Sequence, residues 1–362
     1  MATIRDVARR AGVSPSTVSR VLMGSPHVRE ATREAVLEAV RALKFAPNAL
    51  ASGLRTRGLP LVGLIVPDIT NPYYADLTRA VEDALWARSY AAMIGNSNND
   101  PERELFYLRT FFAVRARGVI IAATPARSRE FVEALRRLPA VALGRTLDIP
   151  GVDAVTVDNQ QAGLLATEHL LRLGHRRIAV LAGDVRVPSV QERLRGHEQA
   201  LRQAGLSPDA ALVEASPFSI EEGGRAMARI LARFDIQGAP ADQARHDRPT
   251  AVLCFADVLA AGAVETLREA ALDIPRDMAV VAFDDTALAR LVRPRLTTVA
   301  RPVRAMAEAA VRVLFDRIDG KHRKRRRVVL ETRLVVRESC GGPLEASSTT
   351  GVSTAAGVEA QV

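Results

Sequence analysis

Residues 3–22 read TIRDVARRAGVSPSTVSRVL, and this stretch decides how the chain begins. Ile4, Val7, Ala8 and Ala11 fall at i, i+3, i+4 and i+7, which predicts a short helix with one apolar stripe. Gly12-Val13 breaks the pattern. Ser14 is placed to cap a second helix with Pro15 at its first position, where a missing N–H costs nothing. Val18, Val21 and Leu22 give that helix a buried face. Two crossing helices need a small residue at the contact, a residue tolerant of positive φ in the turn, and a branched apolar residue to close the pair. Ala8, Gly12 and Val18 supply these in helix-turn-helix order, although a plain three-helix bundle also offers Ala and Gly. After a loop at 23–29, Val36, Val40 and Leu43 predict a third helix that Phe45-Ala46-Pro47 ends.

From residue 61 the period changes. Strand-like apolar runs at 61–66, 91–94, 118–122 and 140–143 alternate with helical patterns at 73–88, 101–113 and 128–137. A second round has strand-like runs at 154–157, 178–182, 251–255 and 279–283, with helical patterns at 160–173, 189–204, 221–233 and 257–271. Continuous apolar strands alternating with helices predict doubly wound parallel sheets covered on both faces, here in two α/β lobes. Residues 238–249 are polar and turn-rich, which fits a surface loop, and 341–362 are Ser/Thr/Gly/Ala-rich, which fits a disordered tail.

Composition narrows the function classes. At 362 residues the chain exceeds what one core usually serves. Its 48% hydrophobic and 25% charged residues exclude wholesale disorder. Cys254 and Cys340 are too few for a disulfide framework or a multi-Cys zinc site. The N-terminus lacks the apolar core of a signal peptide, and no apolar run approaches the ~18 residues that span a bilayer, so a cytoplasmic location without membrane partners is expected. Ten basic and four acidic residues lie in the first 58, which places +6 of the total +9 there and suggests a polyanion partner at that end. Only Lys44, Lys321 and Lys324 are lysines, so the abundance of Arg reflects overall composition as much as binding. No G-x-G-x-x-G, phosphate-binding loop, G-x-S-x-G or H-E-x-x-H pattern occurs, and no histidine has a ligand-like neighbour in sequence. No catalytic residue, metal site or cofactor is expected.

Longer strings carry a resemblance. Thr3–Ala8, Gly12-Val13-Ser14, Thr17–Leu22 and Pro47–Ala51 resemble the headpiece of the lactose repressor/galactose repressor (LacI/GalR) family. Residues 66–74 (VPDITNPYY), 192–196 (ERLRG), 282–285 (AFDD) and 294–299 (PRLTTV) resemble its later signatures, so the likeness runs over about residues 2–340. It implies a helix-turn-helix headpiece at 1–47, a hinge helix and linker at 48–58, and a periplasmic-binding-protein-like effector and dimerisation body at 59–340. The expected lobes are 59–159 plus 291–320, and 160–290 plus 321–340.

The resemblance also implies roles. The second helix would enter the major groove of a pseudo-palindromic operator held by a homodimer. Pro15, Ser16 and Arg20 would then face base edges, with Arg20 suited to guanine O6 and N7. Thr17 and the helix's N-terminal amides would hold phosphates, and Thr3 and Ser14 belong to the same set. Ser16 also reads as a merely solvated position. Asn48 is placed to cap a hinge helix, with Leu54 as a minor-groove wedge followed by Arg55; an ordinary linker is the plainer reading of Leu54. That hinge is short and holds Gly53, so it is expected to be helical only when two copies pair over DNA.

In the body, the resemblance puts Tyr73, Tyr74, Ser189, Arg193, Asp257 and Asp284 around a small effector between the lobes. Such a set suits a polyol: Asp accepts from hydroxyls, Arg donates to oxygens, and a Tyr face covers a sugar ring. Arg193 and Asp284 also read as a structural ion pair, and Asp257 as the cap of the helix at 257–271. Gly144, Val187 and Ala256 stand where relatives often carry effector-contacting Asp, Arg or Asn. Arg145 and Arg186 lie close enough in sequence to compensate, as they would for an anionic or phosphorylated sugar. A sugar or sugar derivative is therefore expected, with a purine as the alternative, for which Val187 lacks the relevant Arg. A periplasmic sugar-binding transport protein is the other class; it would have a signal peptide and no headpiece. Inducer and corepressor both stay open, as does the basic run KHRKRRR at 321–327, either a solvated connection or a DNA contact.

Overall fold

The computed structural model describes residues 2–22, 25–45, 60–122, 128–236, 248–322 and 324–342. The expected hinge at 48–58, with Asn48, Gly53, Leu54 and Arg55, lies outside the described residues, as do most of the 238–249 loop and the tail from 343. The chain divides into two compact units, Met1–Leu59 and Pro60–Val362.

The first unit holds α1 (Ile4–Ala11), α2 (Pro15–Leu22) and α3 (Glu30–Ala42). Val7, Ala8, Val18, Val21, Val36 and Ala39 form its core, with Ile4, Leu22, Val40 and Leu43 packed against them. The turn works as its residue types demand. Gly12 adopts φ +64, a left-handed conformation that costs glycine least, and the Val13 N–H donates to the Ala8 carbonyl at 3.0 Å.

The second unit is built on two six-stranded sheets. Its elements are β1 (Leu61–Val66), α4 (Pro72–Trp86), β2 (Ala91–Asn96), α5 (Pro101–Ala113), β3 (Gly118–Ile121), α6 (Arg129–Leu135), β4 (Ala140–Leu143) and β5 (Val152–Val157). Then come α7 (Asn159–Arg172), β6 (Ile178–Ala182), α8 (Pro188–Gln203), β7 (Val213–Ala215), α9 (Ile220–Arg233), β8 (Ala251–Cys254), α10 (Asp257–Glu269) and β9 (Ala279–Asp284). The last are α11 (Ala287–Leu291), β10 (Thr297–Ala300), α12 (Val303–Ile318), β11 (Arg327–Leu330) and β12 (Arg333–Val335).

The first sheet runs β11-β5-β4-β3-β1-β2, all parallel, and the second β12-β10-β9-β8-β6-β7, parallel except for β12 against β10. Alternation sorts β1: Val62, Leu64 and Val66 pack towards α4 and α12, whereas Ile65 packs towards α5 and α6. The second sheet is likewise covered by α9 and α10 on one side and α7 and α8 on the other. The inner strands are buried on both faces, which is why β3, β4, β6, β8 and β9 read as unbroken apolar runs, whereas the edge strands β2, β7, β11 and β12 are partly exposed.

The expected division of the lobes is corrected at its C-terminal end. Thr297–Ala300 pairs with β9 and so belongs to the second sheet, while Arg327–Leu330 pairs with β5 in the first. The described chain therefore passes between lobes three times, at 157–159, 300–303 and 330–333.

The basic run at 321–327 is partly neutralised within its own lobe: Lys321, Arg325 and Arg326 have carboxylate partners, and Lys324 and Arg327 are exposed without an ion pair among the described residues. Asp153, fully buried on β5, accepts from Arg317 Nε and Nη2 at 2.6 and 2.7 Å, from the Arg326 N–H at 2.7 Å, and lies 2.9 Å from His322 Nε2. Lys321 pairs with Asp316 and Asp319, Arg325 with Asp148 and Arg326 with Asp316. Arg323 lies outside the described residues.

Candidate functional site

In the three-helix unit, α2 turns Val18 and Val21 inward and leaves Pro15, Ser16 and Arg20 exposed. Ser16 and Arg20 are one helical turn apart and share a face. Arg20 makes no ion pair among the described residues, so its guanidinium is available to an outside acceptor. The hydroxyls nearby have local work. Ser14 Oγ accepts the Thr17 N–H at 3.2 Å and lies 2.7 Å from Ser16 Oγ and 3.0 Å from Thr17 Oγ1, so it caps α2 as its residue type predicts. Thr3 forms a capping box with Asp6: the Thr3 N–H and hydroxyl donate to Asp6 Oδ2 at 2.9 and 2.7 Å, and the Asp6 N–H donates back at 3.4 Å. These bonds from Thr3 hold the Asp6 carboxyl below its ordinary value.

In the second unit, the carboxyl ends of the strands from both lobes border a cavity of about 1090 Å³. This is where open α/β sheets place ligands. Of the residues expected there, Tyr73, Tyr74, Arg145, Arg186, Ser189, Arg193 and Asp284 all line it. Gly144, Val187 and Ala256 line it too, each without a polar side chain.

Arg193 is 5% exposed. Its Nε donates to Asn159 Oδ1 at 3.2 Å and its Nη1 to the Phe255 carbonyl at 2.5 Å, and its guanidinium lies 4.5 Å from the Phe283 ring centroid. Burial, then the nearby charge of Arg301, pulls its pKa down to about 10. Its position follows from close packing of α7 on α8. A Cβ on Gly163 would lie 2.2 Å from the Arg193 carbonyl oxygen, and one on Gly196 would lie 2.0 Å from that of Gln160. Only hydrogens at these two positions let the helices approach so far.

Asp284 ends β9 with φ 106, followed by Asp285 at φ 57. Such angles are strained for residues with a Cβ and cluster at functional sites. The expected Arg193–Asp284 ion pair does not form. Asp284 instead accepts from Arg301 Nη1 at 3.4 Å. Arg301 was not anticipated from the sequence. It follows β10, whose parallel register sets Ala300 against Asp284, so the next side chain emerges beside the carboxylate. Its side chain is 8% exposed and its guanidinium lies 4.0 Å from the Tyr73 ring centroid, a cation–π contact. Tyr73 meets Tyr74 edge to face at 5.0 Å, and burial pushes the Tyr73 hydroxyl up to about 12.

Two expected members act differently. Asp257 does not line the cavity: its carboxylate accepts from the Thr286 N–H at 2.7 Å, from Thr286 Oγ1 at 2.9 Å and from Thr298 Oγ1 at 2.9 Å. It is neither an effector contact nor the cap of α10, whose N-cap is Ala256, but a strut that ties the loop after β9 to β10. Burial, then the charge of Asp284, pushes its pKa up. Arg186 is exposed and held by Asp184 through Nε and Nη2 at 2.9 and 2.8 Å, so at the cavity rim its charge is already matched. Among the described residues no group of three or more His, Cys, Asp or Glu is arranged to hold a metal, and no helix is long and apolar enough to cross a membrane.

Residues 3–48 match the family of bacterial regulatory proteins named lacI, and residues 167–340 match the periplasmic binding protein-like domain. Over 341 residues the chain is 31% identical to the HTH-type transcriptional repressor PurR of Mannheimia succiniciproducens, covering 94% of this chain and 98% of that protein. Among solved structures, a lac repressor dimer bound to operator and the anti-inducer ONPF is 27% identical, with a TM-score of 0.81 over 93% of this chain and 98% of that one. A complex of the transcriptional regulator CelR with cellobiose is 32% identical, with a TM-score of 0.69 over 94% of this chain and 100% of that one.

Proposed function

Because the chain belongs to the LacI family of bacterial transcriptional regulators, we propose that it works as a homodimeric repressor whose hold on a pseudo-palindromic operator is set by a sugar-type effector in the interlobe cleft. One α2 offers few base contacts; two-fold pairing doubles them and matches the symmetry of the site. The observation that carries the effector reading is the polar floor of the cavity, where Arg193 and Asp284 face a Tyr73–Tyr74 pair. Hydroxyl donors and acceptors beside an aromatic face are what a sugar ring requires. The solved CelR complex with cellobiose supports the same class. A purine effector is the second reading, favoured by the similarity to PurR; Val187 offers it only an apolar side chain at the cavity.

The test has two parts. Thermal shift of the full chain against sugars and nucleobases, followed by operator titration, should find a sugar that both stabilises the protein and changes its DNA affinity. Stabilisation by nucleobases alone would transfer the site to the second reading. On the DNA side, Arg20→Ala should relax preference at one base per half-site by about 1–3 kcal/mol. An unchanged profile across single-base operator variants would remove Arg20 from direct readout.

A further inference from the structure

One corner of the cleft is built for a charge rather than for a hydroxyl. Gly144 sits at φ +79 between two donors: a Cβ there would lie 3.3 Å from Arg301 Nη2 and 3.6 Å from Tyr73 Oη. Tyr73 is 3% exposed, lines the cavity, and its hydroxyl is buried without a hydrogen-bond partner among the described residues. The Arg301 side chain makes one hydrogen bond among them, the 3.4 Å contact from Nη1 to Asp284, which is long for a charge-assisted bond. The Nη2 side of its guanidinium therefore faces the space beside Gly144 with no carboxylate upon it among the described residues.

The charge balance points the same way. Arg193 and Arg301 are close enough to repel, and Arg193 spends its bonds on neutral acceptors, Asn159 Oδ1 and the Phe255 carbonyl. Among the described residues, Asp284 is the one carboxylate that meets either guanidinium. Asp257 is occupied by Thr286 and Thr298, and Asp184 by Arg186. Arg193 and Arg301, both sequestered, thus meet one carboxylate among the described residues, with the buried Arg145 lining the same cavity, an arrangement that is costly until a second negative charge arrives. A planar or tetrahedral oxyanion accepts a guanidinium edge and a phenol O–H together, and no neutral hydroxyl matches that strength.

We propose that the corner formed by Gly144, Tyr73 and Arg301 receives an anionic oxygen group of the effector, so that the ligand is an acidic sugar, carrying a carboxylate or a phosphate, rather than a neutral one. This rests on the reading of the cleft as the effector site. Arg193 and Asp284 hold the polyol part, while Arg301 and Tyr73 fix the end that bears the charge. The glycine gives specificity by leaving room for the anion.

Calorimetric titration of the full chain tests it with sets that share one ring: glucose, glucuronate and glucose 6-phosphate, and the same forms of galactose, with inorganic phosphate and nucleobases as controls. The expected result is at least a tenfold preference for an acidic form over its neutral parent, with the carboxylate and phosphate arms telling the two sources apart. Gly144→Asp would place a carboxylate beside Arg301 and should abolish the preference. Tyr73→Phe removes an unpartnered hydroxyl and should reduce the acid-to-neutral ratio roughly tenfold. Because each ratio is taken within one protein, and circular dichroism checks its folding, strain at position 144 cannot imitate the result. Neutral sugars binding as tightly as their acidic forms would overturn this proposal and leave the effector-cleft reading standing. If only nucleobases bind, the sugar reading gives way to the purine one and this proposal falls with it; if nothing binds, the cleft reading itself falls.

Discussion

The contact between α7 and α8 gives the sharpest prediction, because its geometry leaves little room to relax. Gly163→Ala would put a Cβ 2.2 Å from the Arg193 carbonyl oxygen and 2.9 Å from its carbonyl carbon. Ordinary contact begins near 3.4 Å, so the two backbones must separate by about 1 Å. The obstacle is main chain and cannot swing aside. Overpacking costs about 1–3 kcal/mol, here the upper part of about 2–3 because every atom met is main chain, and replacing Gly by Ala inside a helix returns about 1 kcal/mol. A net loss of about 1–2 kcal/mol follows, or roughly 2–6 °C in Tm for a unit of this size.

The same displacement moves Arg193, whose bonds to Phe255 at 2.5 Å and Asn159 at 3.2 Å tolerate no such shift. Affinity for the sugar identified by thermal shift should then drop about tenfold or more, since a bond to a charged group is worth about 1.5–3 kcal/mol. Gly224→Ala is the matched control: its nearest neighbour is the Thr266 hydroxyl at 3.1 Å, a side-chain end that can yield. Thermal and urea unfolding by circular dichroism, with effector titration, reads both effects. A Gly163→Ala protein as stable as the parent would refute the close-contact argument. A destabilised one with unchanged effector affinity would show that this contact does not position Arg193.

Two further outcomes follow from buried polar groups. Burial holds the His197 imidazole down to about 4, against about 6.5 in the unfolded chain, so the unfolded state takes the proton first. Stability from this group is full above pH ~6.5 and falls by up to ~3 kcal/mol as the pH drops towards 4. His197→Gln should remove the largest share of that slope, which unfolding midpoints between about pH 4.5 and 7.5 would show; equal slopes in variant and parent would reject it. Asp257→Ala strips three donors of their acceptor, the Thr286 N–H and hydroxyl and the Thr298 hydroxyl, and should cost on the order of 3 kcal/mol. Effector affinity of the folded variant should fall far less than in Arg193→Ala, and an equal fall would return Asp257 to the binding set.

What could be read from the chain alone separates by the range of the interaction involved. Ala8, Gly12 and Val18 announce their turn because a helix crossing needs those residue types within a span of eleven. The inner strands β1, β3, β4, β6, β8 and β9 announce themselves because they are buried on two faces and lack polar interruptions. Asp257 could not be placed this way: its partners Thr286 and Thr298 are 29 and 41 residues away. The basic run at 321–327 reads as a positive surface, yet it is anchored by Asp153, more than 160 residues earlier on a buried strand, which holds the His322 ring and the Arg326 N–H, and Arg325 pairs with Asp148. Arg301 escaped for a related reason. Residues 297–300 are not among the strand-like runs of the sequence, and only the register of β10 on β9 reveals which carboxylate the following arginine meets.

Two of the three crossings between the lobes hold a cleft side chain directly. Asn159, just past the first, fixes Arg193, and Arg301, at the second, meets Asp284 and stacks on Tyr73. Tyr73 belongs to α4 on the first sheet and Asp284 to β9 on the second, so Arg301 touches both lobes from the segment that joins them. Any rotation of one lobe on the other turns about these segments and must alter the Arg301 contacts. A ligand shifts such an equilibrium only by the difference in its contacts between the two arrangements. One charge-assisted hydrogen bond gained or lost is worth about 1.5–3 kcal/mol, the same size as the 1–3 kcal/mol by which effectors usually change a distant affinity. A single ligand oxygen at Arg301 is therefore sufficient, in magnitude, to set the lobe angle.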